Sequence, residues 1–175
     1  MLRHHLMSCP SHNFNIFMLV LAHTAIGVIF VQIFISFQQW NEYPHFELIA
    51  AIGALLSDLF DKPLYWGKLC HATRSYAHTL VFSVLLSIAS WILFRDGKLS
   101  CILFVSVLSH LFADLFFGYV PLFYPFQSFK YPSMIHTRNT KKILKILELL
   151  GLIYLVLFSN IFRSLKSIVV QVLQI

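Results

Sequence analysis

The run SHLFADLF holds His110 and Asp114 four positions apart inside a long apolar stretch. On a helix that spacing stacks an imidazole and a carboxylate on one face. An ionised Asp at the centre of a bilayer costs about 2.5 kcal/mol or more, so the pair calls for a partner that compensates the charge. His23, Asp58 and His78 also lie in or border apolar runs, and Asp61 follows Asp58 by three residues. Three of the seven acidic residues, Asp58, Asp61 and Asp114, therefore fall in or beside one small set. Imidazoles and carboxylates without thiolates suit a divalent ion such as zinc, iron(II) or manganese. The cation in turn keeps intramembrane carboxylates ionised and paired. Plainer roles exist for each residue taken alone. His23, beside Thr24, fits a helix–helix hydrogen bond; His110 and Asp114 fit a structural pair; Asp61 fits a solvated loop charge. The joint pattern points to His23, Asp58, His78, His110 and Asp114 as metal ligands.

The elements that must position these residues are membrane helices. Of 175 residues, 58% are hydrophobic and 11% charged, against about 45–50% and 25% in soluble globular chains. That excess predicts an all-α integral membrane bundle, a single domain over residues 1–175. A span takes about 20 apolar residues, and five stretches qualify: Phe14 to Phe37, Phe46 to Phe60, His78 to Phe94, Cys101 to Tyr124 and Ile146 to Phe162. The second is marginal, short or re-entrant. The first is too long for a signal-peptide core and lacks a small-x-small cleavage site, so it reads as a retained helix. His23 then lies near mid-membrane, Asp58 ends the second helix and His78 opens the third. The tail after Arg163 reads as an interfacial segment.

Lys and Arg set the orientation. With five spans, nine of them (Arg3, Lys62, Lys68, Arg74, Lys130, Arg138, Lys141, Lys142 and Lys145) fall on one side and four (Arg95, Lys98, Arg163 and Lys166) on the other. The richer side, with the N-terminus, is expected in the cytoplasm of a cell (inner or plasma) membrane. Net charge is +6, yet no basic stripe interleaved with stacking aromatics lies outside the apolar runs, so nucleic acid is not an expected partner. Cys9, Cys70 and Cys101 have no C-x-x-C spacing and predict neither a zinc knuckle nor a disulfide framework. The other histidines, among them His4, His45 and His136, fall outside the spans and read as surface residues.

The blocks AHTAIG, GALLSDLFDKPLY, TRSYAHTL and LSHLFADLFFGYVPLFYPF, in that order over Ala22 to Phe126, resemble a family of membrane-bound hydrolases held to be metal-dependent. Part of that family is known as the LexA-regulated hydrolases of bacterial inner membranes. The resemblance places the family's early His on His23, its acidic helix end on Asp58, its His block on His78–Thr79, its S-H-x-x-x-D block on His110 and Asp114, and its closing prolines on Pro121 and Pro125. Ser57 stands where Pro is usual, and the second acid comes three residues on, in DKP. That is similar to a branch which also carries an Arg before the His block, here Arg74.

The resemblance and the ligand set together imply a metal-dependent hydrolase. Asp58 or Asp61 would serve as general base, with Arg74 and Lys62 neutralising a phosphate or developing oxyanion at the cytoplasmic mouth. A lipid-like or phosphoester substrate follows from depth and charge, with the bilayer itself as the other partner. The alternatives are a metal or proton transporter and a structural stress-response protein. A secondary transporter is disfavoured by the lack of an inverted repeat. No G-x-S-x-G and no P-loop is present, which removes serine hydrolases and P-loop ATPases.

Overall fold

The structure, a computed structural model, describes residues 20–40, 43–67, 76–117, 120–124, 126, 140–161, 168–170 and 172–173. These form five α-helices: α1 (Val20–Gln38), α2 (Phe46–Trp66), α3 (Leu80–Phe94), α4 (Gly97–Phe117) and α5 (Thr140–Leu157). A short 3-10 turn, Tyr76–His78, precedes α3. The all-helical expectation agrees with the described residues. Two of these helices, α1 and α4, are long and apolar enough by themselves to cross a membrane, and α3 is a shorter apolar helix. That is fewer than the five expected, because α2 and α5 carry charged residues along their length.

Helix ends differ from the hydropathy limits for a physical reason. The backbone continues while its hydrogen bonds are satisfied, whatever the polarity of the side chains. Thus α2 runs through Asp58 to Trp66 with Pro63 in its last turns, where hydropathy suggested an end near Phe60. In the same way α4 starts four residues before Cys101 and stops at Phe117, and α5 starts at Thr140 and stops at Leu157. Residues 14–19 and most of the tail after Arg163 lie outside the described residues.

Local chemistry sets the turns. Thr79 caps α3, its side chain accepting from the Phe82 N–H at 3.1 Å. Arg95 closes α3 in the left-handed region (φ 55). Asp96 opens α4 by accepting from the Lys98 and Leu99 N–H groups at 2.8 and 3.1 Å. Two residues therefore suffice to reverse the chain.

Helices α1, α2 and α4 pack on one another, with α5 against α1 and α3 against α4. Small residues allow the close approach. A Cβ on Gly27 would meet the Ala54 Cβ at 2.7 Å, and one on Gly53 would meet the Ser106 Cβ at 2.9 Å. The Ser106 hydroxyl, buried in this seam, donates to the Ala50 carbonyl. This is the small-residue packing that replaces the hydrophobic effect between helices in lipid. The polarity of the bundle is also inverted relative to a soluble protein. Leu93 is 75% exposed and Phe37 83%, whereas Asp61, His78, His110 and Asp114 are at most 1% exposed. Apolar side chains face outward on every helix, including Ile33, Ile52, Phe112 and Leu149. Water would penalise that surface, and lipid would not.

Candidate metal centre

Four elements deliver the cluster to one end of the bundle: the start of α1 (His23), the second half of α2 (Asp58 and Asp61), the 3-10 turn (His78) and the end of α4 (His110 and Asp114). The alternating direction of the helices makes these ends neighbours. His23 lies in the first turn of α1, since the N–H of Ala22 just before it donates to a side chain of α5. His78 closes the 3-10 turn. Just beyond it, the Leu80 N–H donates at 3.0 Å to the Leu122 carbonyl of the segment after α4. Pro121, the first proline of the closing block, is buried at that crossing. Arg74 and Pro125 lie outside the described residues.

The five expected ligands converge. His23 Nε2 is 3.0 Å from Asp114 Oδ1. Asp114 Oδ2 is 3.3 Å from His78 Nε2 and 3.5 Å from His110 Nε2. His78 Nε2 is 3.3 Å from His110 Nε2 and 3.5 Å from Asp58 Oδ1. The rings of His23 and His110 lie 4.4 Å apart, and those of His78 and His110 5.2 Å. Two overlapping triads, His23–His110–Asp114 and Asp58–His78–His110, each keep their donor atoms within 4.8 Å of one another. Ligands about 2.0–2.2 Å from a common ion are separated from adjacent ligands by about 2.8–3.6 Å in octahedral or tetrahedral arrangements, and the contacts of 3.0–3.5 Å between these donors fall in that range.

Asp61 does something different. Its Oδ2 is 2.7 Å from His78 Nδ1 and its Oδ1 accepts from the Ala77 N–H at 3.1 Å. Asp61 is wholly buried on α2, which rules out the solvated loop charge. A carboxylate on Nδ1 favours the proton there, as in carboxylate–histidine–metal arrangements. Nε2 then faces oxygens of Asp58 and Asp114. A neutral ring would be repelled there, so the arrangement calls for a positive charge, either a second ring proton or a cation between the donors, and the donor set fits a cation. His110 Nδ1 is buried with no hydrogen-bond partner among the described residues.

Asp58 forms the wall of the site. One oxygen faces His78, and the other pairs with Lys62 Nζ at 2.7 Å. Beside this pair an open groove of about 210 Å³ runs along α2, lined by Val20, Leu55, Leu59, Pro63 and Trp66. It is apolar along its length, with the Asp58–Lys62 pair in its wall. Two acids escaped the sequence reading, the buried Glu47 and the half-buried Glu148. Glu47 accepts from the Gln32 amide at 2.8 Å and from the Asn160 backbone N–H, and it ties α1 and α2 to the segment after α5. Glu148 reaches the first turn of α1. The signal that could have found Glu148 is its position within an apolar run, ILELLGL, where an ionisable residue is a functional candidate by default.

No curated protein and no solved structure matches the chain. A family model described as YdjM inner membrane protein matches residues 18–172, a stretch that contains all five helices and every residue of the cluster. The chain thus belongs to the YdjM inner membrane protein family.

Proposed function

We propose that this protein is a multi-pass inner-membrane hydrolase that uses a divalent metal and acts on an amphipathic, lipid-like phosphoester. The observation that carries the reading is the convergence of three imidazole Nε2 atoms and Asp114, with His78 oriented from behind by Asp61. His23, His78, His110 and Asp114 would hold zinc, manganese or iron(II), with Asp58 as a further ligand. When bound, such an ion supplies Lewis acidity and brings the ionisation of water toward neutral pH.

The chain's own residues account for the rest. Asp58 has an oxygen on each side of the wall and is the better placed base, since both Asp61 oxygens are engaged behind His78. Lys62 stands where a phosphoryl group beside Asp58 would gain a charge-assisted contact. The apolar groove suits an acyl chain and excludes water. All five helices are proposed to cross the membrane, with the N-terminus and the site end in the cytoplasm. The supports are the nine-to-four loop count and the outward apolar faces. Transport is less favoured because the cluster occupies one end of the helices rather than a route through them.

The test is metal analysis of the detergent-purified chain with a lipid and phosphoester hydrolysis screen under zinc, manganese or iron(II) add-back. Lys62→Ala is expected to keep the metal and to lose turnover by about 2–4 kcal/mol in activation free energy. A wild-type chain that binds metal and turns over nothing with any of the three puts the scaffold reading ahead, and a chain that binds none removes the metal reading altogether.

A further inference from the structure

Helix α5 contributes none of the candidate ligands, yet two of its residues bear on the same turn of α1. Glu148 Oε2 accepts from the Ala22 N–H at 3.1 Å. Its other oxygen, Oε1, is buried with no hydrogen-bond partner among the described residues, so among them the interaction runs through Oε2. One turn further along, Gly151 lies against the same backbone. A Cβ there would stand 3.0 Å from the Leu21 carbonyl oxygen and 3.1 Å from the Ala22 N and Cα. A carboxylate and a missing side chain thus both serve the dipeptide that precedes His23.

First-turn amides have no partner inside their own helix, and such turns fray unless something outside accepts from them. The helix dipole adds attraction for an anion at this end. His23 depends on that turn, because its Nε2 must arrive 3.0 Å from Asp114 Oδ1. We infer that Glu148 is a positioning residue for the cluster: it pins the first turn of α1 to α5 and so sets where the His23 imidazole meets Asp114 and His110. The inference goes beyond the metal reading, which it uses for one arm of its test.

The experiment uses the full chain in detergent, in wild-type form and as Glu148→Ala, Glu148→Gln, Gly151→Ala, His23→Ala and the His23→Ala/Glu148→Ala double variant. The first arm is NMR of the metal-free protein labelled in its histidine rings, with the His23 signal assigned by its loss in His23→Ala. Glu148→Ala is expected to shift or broaden the His23 signal and leave that of His78 in place. Glu148→Gln, which keeps one acceptor oxygen, is expected to restore it. Gly151→Ala, which pushes α5 away from the same turn, is expected to move it again, and it decides the matter if Glu148→Ala does not fold. The second arm is cobalt(II) titration read by visible absorption. Glu148→Ala should bind about 10–100-fold more weakly, the range for losing a group that orients a ligand. The double variant should bind no more weakly than His23→Ala, because both changes act through one imidazole. A His23 signal unmoved in both Glu148→Ala and Gly151→Ala overturns the proposal, as does an additive loss in the double variant. If the wild type does not bind cobalt(II), the metal reading fails by itself and the NMR arm still decides the role of Glu148.

Discussion

His78 is the residue on which the cluster turns, held by Asp61 on one nitrogen and facing the other donors with the second. Replacing Asp61 by Asn removes the carboxylate behind Nδ1 without changing its volume. Metal affinity is expected to fall about 10–100-fold while the helical content is retained, and metal content alongside circular dichroism checks both halves. Replacing His110 by Ala removes a donor shared by both triads. It is expected to abolish metal binding and, because binding energy is folding energy where an ion joins several helices, to lower the unfolding temperature of the metal-loaded protein. An Asp61→Asn protein that binds metal as the wild type does would mean that Asp61 serves folding alone.

At the scale of elements, the packing of α2 on α4 rests on a bare Gly53 beside Ser106. Gly53→Val places a branched side chain where even a Cβ would come within 2.9 Å of Ser106. Overpacking of this kind costs about 1–3 kcal/mol, and thermal unfolding in detergent reads it. The end of the bundle away from the cluster is joined differently. Tyr43 donates to Asp96 Oδ2 at 2.6 Å, linking the loop before α2 to the α3–α4 turn. Burial first, then the hydrogen bond to Asp96 and its charge, push the Tyr43 phenol up to about 12. The Tyr43 hydrogen bond and the α4 N–H groups hold the Asp96 carboxyl below its usual range. The Tyr43 contribution is therefore complete below pH 10, the ordinary phenol value, and is lost as pH rises toward 12. The Asp96 contribution has the opposite sign, present above the ordinary carboxylate range and lost as pH falls through it. Tyr43→Phe is expected to flatten the alkaline limb of a stability–pH profile. An unchanged limb would assign the alkaline loss to other groups.

For the whole molecule, orientation is the property to test. A reporter fused after Arg138, ahead of α5, is expected to read as cytoplasmic, the side given by the positive-inside count. An external signal would reverse the bundle and carry the cluster and its groove to the opposite face. The inversion of polarity, with apolar residues outside and ionisable ones at the centre, belongs to this scale too. It explains why a chain of this composition folds in lipid: the outer faces need no partner there, and many of the inner polar groups pair with one another.

Much of this was legible in the residues themselves. The composition implied helices in a membrane, and the i, i+4 spacing of His110 and Asp114 put an imidazole and a carboxylate on one face, because helical periodicity is local. Polar residues in or beside the other apolar runs added His23, Asp58 and His78, the resemblance set its motifs on the same positions, and the fold brings all five together. Two things were decided only when the helices packed. Asp61 reads as a loop charge as long as α2 is taken to end with its hydropathy, and it becomes the partner of His78 once the helix continues and the 3-10 turn folds back over it. Glu148 has no sequence neighbour that explains it, because its partner is a backbone N–H 126 residues away. Spacing along a chain determines which groups share a helix face. Which free amide or nitrogen meets a buried carboxylate depends on how separate helices approach, and that is a property of the tertiary structure.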